Sequence, residues 1–350
     1  MPGHSLGSLH DFREFALAAV NGLARTGGGR GFSDTLESAG SMLAVQSITE
    51  EILDLKRQRR AMILAHHYQD FEIQEIADAV GDSLELSRTA QKFDGQVIAF
   101  CGVVFMAETA KVLNPSRIVI LPDLDAGCSL VDSCSAPKVR AFRERHPDYA
   151  VVSYINTSVE VKAESDILCT SRNAVKIVNS IPAEKPILFL PDRNLGSYVQ
   201  QQTGRKNMKI WQGACIVHAT FAARKLTGAR AAHPKALVAA HPECPPDVLG
   251  MADFIGSTSA IVDWCVTTDA AEFIVMTESG VGHSLKRRAP EKQFYFVPNE
   301  NCNCSECPYM RRNTLEKLRD ALVDLSPRID LAPDLMERAR LPIERMLAVK

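Results

Sequence analysis

The chain has 350 residues, too many for one ordinary core, and its 46% hydrophobic and 23% charged residues describe a folded soluble protein of two or three domains. A net charge of −2 offers no electrostatic attraction to nucleic acid or to an anionic membrane. The longest apolar runs, such as Ala236 to Ala240, are far too short to span a bilayer, and no basic stretch followed by an apolar one opens the chain. A cytoplasmic location is expected, with no membrane and no nucleic-acid partner.

Residues 1–46 carry little structural signal and read as an extension, disordered or helical. Thr26 to Gly31 is a glycine-rich breaker, not a phosphate loop, because no strand precedes it and no Gly-Lys-Ser/Thr follows. Beyond it one pattern appears three times. A first apolar strand ends on polar residues at Met62–Tyr68, Ala150–Asn156 and Ala236–Glu243. A second follows at Ile98–Gly102, Ile167–Ser171 and Phe254–Thr258. A third closes each copy at Ile118–Asp123, Ile187–Asp192 and Phe273–Glu278. Strands alternating with helices predict an α/β fold: three pseudo-threefold-related domains, each a short parallel sheet flanked by helices, around a central site. The expected boundaries are 47–126, 127–213 and 214–300, with a cysteine motif and C-terminal helices over 301–350. Ligands of such sheets bind beyond the carboxyl ends of the strands, where this sequence puts His, Tyr, Asn, Glu, Ser and Cys.

The chain has ten cysteines, and a reducing compartment makes metal or cluster ligation a better special reading than disulfides. Three cysteine sites follow the three third strands: Cys128, Cys215, and the group Cys302, Cys304 and Cys307. One ligand per copy would place three thiolates around one centre and leave one iron of a [4Fe–4S] cluster open. By spacing alone, the last group also suits a zinc knuckle completed by Cys244 or a histidine, then a thiol–disulfide pair, then plain packing. Cys101 and Cys169 are read as matching packing residues at second-strand ends.

An ordered series of segments then resembles one family. It includes Ala65-His-His-Tyr-Gln69, Gly81-Asp-Ser83, Tyr154-Ile-Asn-Thr157, Thr170-Ser-Arg-Asn-Ala174, Trp211-Gln-Gly-Ala-Cys-Ile-Val-His218, His241-Pro-Glu243, Gly256-Ser-Thr-Ser259 and Cys307-Pro-Tyr-Met310. Together these are similar to the quinolinate synthases in their A-protein form, from about Ile63 to Met310. The resemblance implies three α/β domains in pseudo-threefold arrangement. It implies a [4Fe–4S] cluster on Cys128, Cys215 and Cys307, and condensation of iminoaspartate with dihydroxyacetone phosphate to quinolinate in NAD biosynthesis. It also implies functional coupling to an L-aspartate oxidase or dehydrogenase that supplies the imine. The family's usual Cys-x-x-Cys-x-x-Cys is here Cys302-x-Cys304-x-x-Cys307.

Within that chemistry Glu243 is assigned as the base, with His241 and Tyr68 as catalytic neighbours. Ser83, Ser171, Ser257 and Thr258 are candidate donors to phosphate and carboxylates, particularly where a following helix aims its N–H groups at the ligand. Tyr154 and Asn156 are expected to hold the dicarboxylate, and His66 to line the same cavity. His218 is read as orienting its neighbours. Two rival functions share the cysteines: another cluster-dependent lyase, which needs no phosphate pocket, and an iron–sulfur sensor, which needs an exposed cluster and a partner domain.

Overall fold

The computed structural model describes residue 45 and residues 47–300 and 305–349. Nearly all of the expected extension 1–46, and Cys302 and Cys304, lie outside the described residues. The chain divides into Met1–Glu51, where residues 47–51 are helical, and Ile52–Lys350. All strands among the described residues lie in the second unit.

They form three four-stranded sheets. The first has β1 (Ala61–His66), β2 (Ala79–Gly81), β3 (Val97–Cys101) and β4 (Ile118–Ile120). The second has β5 (Ala150–Tyr154), β6 (Ile167–Cys169), β7 (Ile187–Leu190) and β8 (Met208–Ile210). The third has β9 (Leu237–Ala240), β10 (Phe254–Ile255), β11 (Glu272–Met276) and β12 (Gln293–Phe296). The spatial orders are β2-β1-β3-β4, β6-β5-β7-β8 and β10-β9-β11-β12, parallel throughout. Central strands are buried on both faces, which explains unbroken apolar runs such as Ile63-Leu-Ala65.

Each copy has four strands where the apolar runs show three, and in the first copy the runs are out of step by one. Ile98–Gly102 is the end of the third strand there, not the second, and Ile118–Asp123 is the fourth. The strand passed over, Ala79-Val-Gly81, is three residues long and ends on glycine, so it has too little apolar length to register. The edge strands β8 and β12 were passed over for a similar reason, being short and carrying Lys209 and Gln293.

An independent marker fixes the threefold register. Oδ2 of Asp78 accepts the backbone N–H of Ile63 at 2.8 Å, that of Asp166 accepts Val151 N–H at 2.8 Å, and that of Asp253 accepts Val238 N–H at 2.7 Å. Each aspartate returns its own N–H to the carbonyl of the same residue. Each copy therefore closes a two-bond clasp between its first and second strands. The repeats are also joined to one another. Fully buried Lys162 of repeat two donates to the carbonyls of Thr157 and of Phe105 in repeat one. The last helix, Pro333–Ala348, lies against the helix Val159–Ala163, β6 and the helix Val104–Leu113, burying Ala339, Ile343 and Met346.

Replacing Asp253 with Ala leaves the fully buried Val238 N–H without its carboxylate. Stability should fall by about 1–3 kcal/mol, the cost of an orphaned buried donor, read as a lower urea midpoint. A midpoint equal to that of the wild type would show that the clasp is dispensable.

Candidate active site

Counting from the three clasped residues Ile63, Val151 and Val238 brings equivalent side chains together. Three places on are His66, Tyr154 and His241. Five places on are Tyr68, Asn156 and Glu243. Twenty places on are Ser83, Ser171 and Thr258. All nine line one cavity, together with Cys128, Cys215, His218, Glu278 and Cys307. Alternation along the first strand explains the selection. His66 and Tyr68 face the cavity, whereas His67 turns away, its ring between Ser284 Oγ at 2.9 Å and Ser259 Oγ at 3.2 Å. Ser257 does not line the cavity. Its hydroxyl caps the helix Thr258–Thr267 and donates to Asp82 at 2.9 Å.

Hydrogen bonds fix the tautomers of two imidazoles. Nδ1 of His66 accepts the N–H of Tyr68 at 3.2 Å, and Nδ1 of His241 accepts that of Glu243 at 3.3 Å. Nε2–H is then the donor of each neutral ring. Burial keeps both rings neutral: it pushes His66 well down, and His241 to about 3.

Glu243 is the electrostatic centre. The Tyr154 hydroxyl donates to Oε1 at 2.6 Å, and His218 Nδ1 lies 2.9 Å from Oε2. Burial raises the carboxyl, but the hydrogen-bonded His218 and Tyr154 hydroxyl oppose it and the group is held below its usual range. His218 Nε2 reaches Thr277 Oγ1 at 2.9 Å, and Thr277 Oγ1 meets the Tyr68 hydroxyl at 2.7 Å. One hydrogen-bonded chain thus runs Tyr68–Thr277–His218–Glu243–Tyr154 across all three repeats. The Tyr68 hydroxyl also meets Thr258 Oγ1 at 2.7 Å. Asn156 has a buried Oδ1 with no partner, an acceptor suited to a ligand N–H or O–H.

His218, Thr277 and Glu278 are groups that sequence reasoning left out of the site. His218 was visible in its motif but lacked a partner on paper. Thr277 ends a third strand, and once the first copy's slip is corrected its position matches Pro191 and Gly102.

The cysteines follow the fourth strands rather than the third: Cys128 after β4, Cys215 after β8 and Cys307 after β12. Backbone N–H groups just after each cysteine oppose the rise of its thiol, Leu130 and Val131 at Cys128, His218 at Cys215, Met310 and Tyr309 at Cys307. Burial first, then the Glu243 carboxylate and the other two thiols, push Cys215 well above its ordinary range. Three soft donors from three repeats, each met by backbone N–H groups, fit an iron–sulfur cluster. Cys215 Sγ, His218 and Glu243 also place one ligand atom each within 4.8 Å of the others, so the donors of a single metal ion lie at the same wall. Cys244 is directed elsewhere, its thiol on the Met276 carbonyl. Cys101 and Cys169 are fully buried packing residues, although they end a third and a second strand and do not match.

The model of the family described as Quinolinate synthetase A protein matches residues 50–348. The chain is 56% identical over 297 residues to the quinolinate synthase of Microcystis aeruginosa, covering 85% of this chain and 93% of that one. It is 53% identical over 300 residues to that of Prochlorococcus marinus strain MIT 9313, covering 85% and 90%. It is 55% identical over 298 residues to that of Thermosynechococcus vestitus, covering 85% and 93%.

Acid should loosen this fold. His67 is buried against Ser259 and Ser284, with its ring pushed down to about 4 by burial. A histidine whose folded pKa is depressed favours the folded state fully above its unfolded value of about 6.5. That contribution is lost as pH falls toward 4, because the unfolded chain then binds the extra proton. The urea midpoint should decline across that window, and less steeply in His67→Gln. An equal slope in both proteins would remove His67 from the explanation.

Proposed function

The chain belongs to the quinolinate synthetase A protein family, and from that premise we propose that it condenses iminoaspartate with dihydroxyacetone phosphate. The products are quinolinate, phosphate and water, in the de novo synthesis of NAD. The observation that carries this reading is that the three cysteines share one cavity with the Tyr68–Glu243 chain. Cys128, Cys215 and Cys307 would hold a [4Fe–4S] cluster. When bound, a cluster with one iron free of protein ligands supplies Lewis-acid polarisation of a substrate oxygen or nitrogen.

The remaining tasks fall to side chains. The unpartnered Oδ1 of Asn156 suits the imine or enamine N–H of iminoaspartate, and the Nε2–H groups of His66 and His241 suit its carboxylates. Ser83 and Thr258 open the helices Ser83–Lys92 and Thr258–Thr267, so their hydroxyls, at the positive ends of two helices, suit the phosphate. Ser171 offers the third hydroxyl of the set. Carbon–carbon bond formation, carbonyl migration and loss of water all require protons to be taken up and returned. Glu243, ionised and hydrogen-bonded to His218, takes a proton and shares it with the imidazole. Thr277 connects that imidazole to the Tyr68 hydroxyl, which returns a proton at the other end.

A dehydrating lyase acting on a small hydroxy acid would have no use for the two helix N-termini at the cavity, and a sensor would have none for the proton chain. The eight described cysteines are all free, which suits a reducing cytoplasm. No helix among the described residues is long and apolar enough to cross a membrane. An L-aspartate oxidase or dehydrogenase is the class of partner that would supply the imine.

Anaerobically purified protein should carry about four irons and four sulfides per chain, the content of a cubane, and should form quinolinate from the two substrates. Stoichiometric zinc without iron in active protein would overturn the cluster, and failure to release phosphate from the triose would favour the lyase. Glu243→Gln should keep its iron yet lose at least about a hundredfold in kcat, the usual scale for a general base. Near-normal turnover would hand the proton work to His218 or Tyr68.

A further inference from the structure

The third strands carry a set of matched positions outside the proton chain. Cys101, Leu190 and Met276 pair with Ala65, Ser153 and Ala240, so Val103, Asp192 and Glu278 are equivalent two residues later. Asp192 and Glu278 are fully buried. A buried carboxylate persists only where donors surround it.

The donors are backbone N–H groups of the cysteine loops. Asp192 Oδ1 accepts Leu195 N–H at 2.7 Å, capping the helix Arg193–Thr203, and Oδ2 accepts the N–H of Cys215 at 3.3 Å. Glu278 Oε1 accepts the N–H of Cys307 at 3.1 Å and Arg311 Nη2 at 2.9 Å, while Oε2 accepts Gly280 N–H at 2.7 Å. Around Asp192 the two segments are stitched further. Gly213 N–H donates to Pro191 O at 3.0 Å, and Arg193 N–H donates to Gly213 O at 2.9 Å. A Cβ on Gly213 would lie 2.6 Å from the Pro191 carbonyl oxygen, so only glycine permits that approach.

Repeat one has Val103 at this position and no such acid. Its cysteine loop leans on its neighbour instead. Ser129 Oγ donates to Ala214 O at 3.2 Å and accepts Ile216 N–H at 3.1 Å, so the residue after Cys128 is bonded to both residues flanking Cys215.

We propose that Asp192 and Glu278 are positioning residues for the metal-binding thiols. Glu278 sets the backbone of Cys307. Asp192 sets that of Cys215 directly and that of Cys128 through Ser129. Neither acid donates to the metal: each fixes the point from which a sulfur extends, so that the three thiols converge before metal arrives. The metal part of this inference rests on the cluster reading above; the hydrogen bonds do not.

Two measurements on the full chain test it. The first is amide hydrogen exchange on metal-free protein, which reports local opening segment by segment. In Asp192→Asn the segments holding Cys215 and Cys128 should exchange at least about tenfold faster, with Ser305–Arg311 unchanged. In Glu278→Gln only Ser305–Arg311 should speed up. Asp192→Ser, which keeps a capping oxygen for Leu195 but is too short to reach Cys215, replaces Asp192→Asn if the latter fails to fold. The second is the rate at which a chelator removes iron from anaerobically loaded protein, expected to rise at least about tenfold in both acid variants, the cost of losing an outer-shell partner. Asp253→Ala, which breaks a clasp outside the cavity, should lower the urea midpoint and leave both readouts unchanged. Exchange within about twofold of wild type in both acid variants, or equal acceleration by Asp253→Ala, would overturn the proposal. Wild-type protein that takes up no iron would sink the cluster reading, and the exchange data alone would then decide whether the acids position the cysteines.

Discussion

The aspartate clasp between first and second strands sets everything that follows. A parallel pair that slips by one residue turns every side chain to the opposite face. In repeat one such a slip would send His67 into the cavity and remove His66 and Tyr68. A ladder of three residues between β1 and β2 is too short to resist this by hydrogen bonds alone. The carboxylates of Asp78, Asp166 and Asp253 each grip the amide of a central strand, so the register is fixed by a charged group at a defined position.

With registers locked, the three repeats can surround a charge that none could bury alone. Glu243 comes from repeat three, Tyr154 from repeat two, and Tyr68, at the far end of the chain of hydrogen bonds, from repeat one. A buried carboxylate without partners would be neutral, and a neutral acid cannot act as a base. Here the partners win over burial, so Glu243 stays ionised. The stacking of His218 on His241, with centroids 4.6 Å apart, holds the middle of the chain rigid. Burial prevents His241 from competing as a cation.

Much of this was legible in the sequence because polar residues at the ends of buried strands stand out against apolar runs. His66, Tyr68, Tyr154, Asn156, His241 and Glu243 were all identifiable that way, and the cavity collects all of them. Ser257 misled because Ser and Thr side by side at a helix start give no sign of which one caps and which one faces inward. The slip in repeat one had a physical cause too: β2 has only three residues and carries no distinctive apolar signal. Its aspartate, fifteen residues after Ile63 as in the other two copies, was the better marker, since that spacing is set by a hydrogen bond and not by hydrophobicity. Thr277 could not have been singled out, because its role exists only between two residues that are distant in sequence.

The sheet order then explains why each strand has its own kind of work. The first and third strands are central, so their ends sit deepest, where a charged or tautomeric group is shielded from water. First-strand ends supply Tyr68, Tyr154 and Glu243, third-strand ends supply Thr277 and the buried acids Asp192 and Glu278, and His218 comes from the connection after β8. Second strands lie at an edge and pass directly into turns and helices, which delivers hydroxyls to the cavity. Fourth strands lie at the other edge and lead into longer connections. Each of these connections carries a cysteine to the cavity wall, beyond the end of its strand ladder. That is the physical reason for a buried acid on the neighbouring central strand to reach across to the cysteine amide. The loop after β4, whose neighbouring third strand lacks that acid, borrows its order from the loop after β8 through Ser129. The pseudo-threefold symmetry is therefore kept at the level of the strands and broken at the cysteine loops.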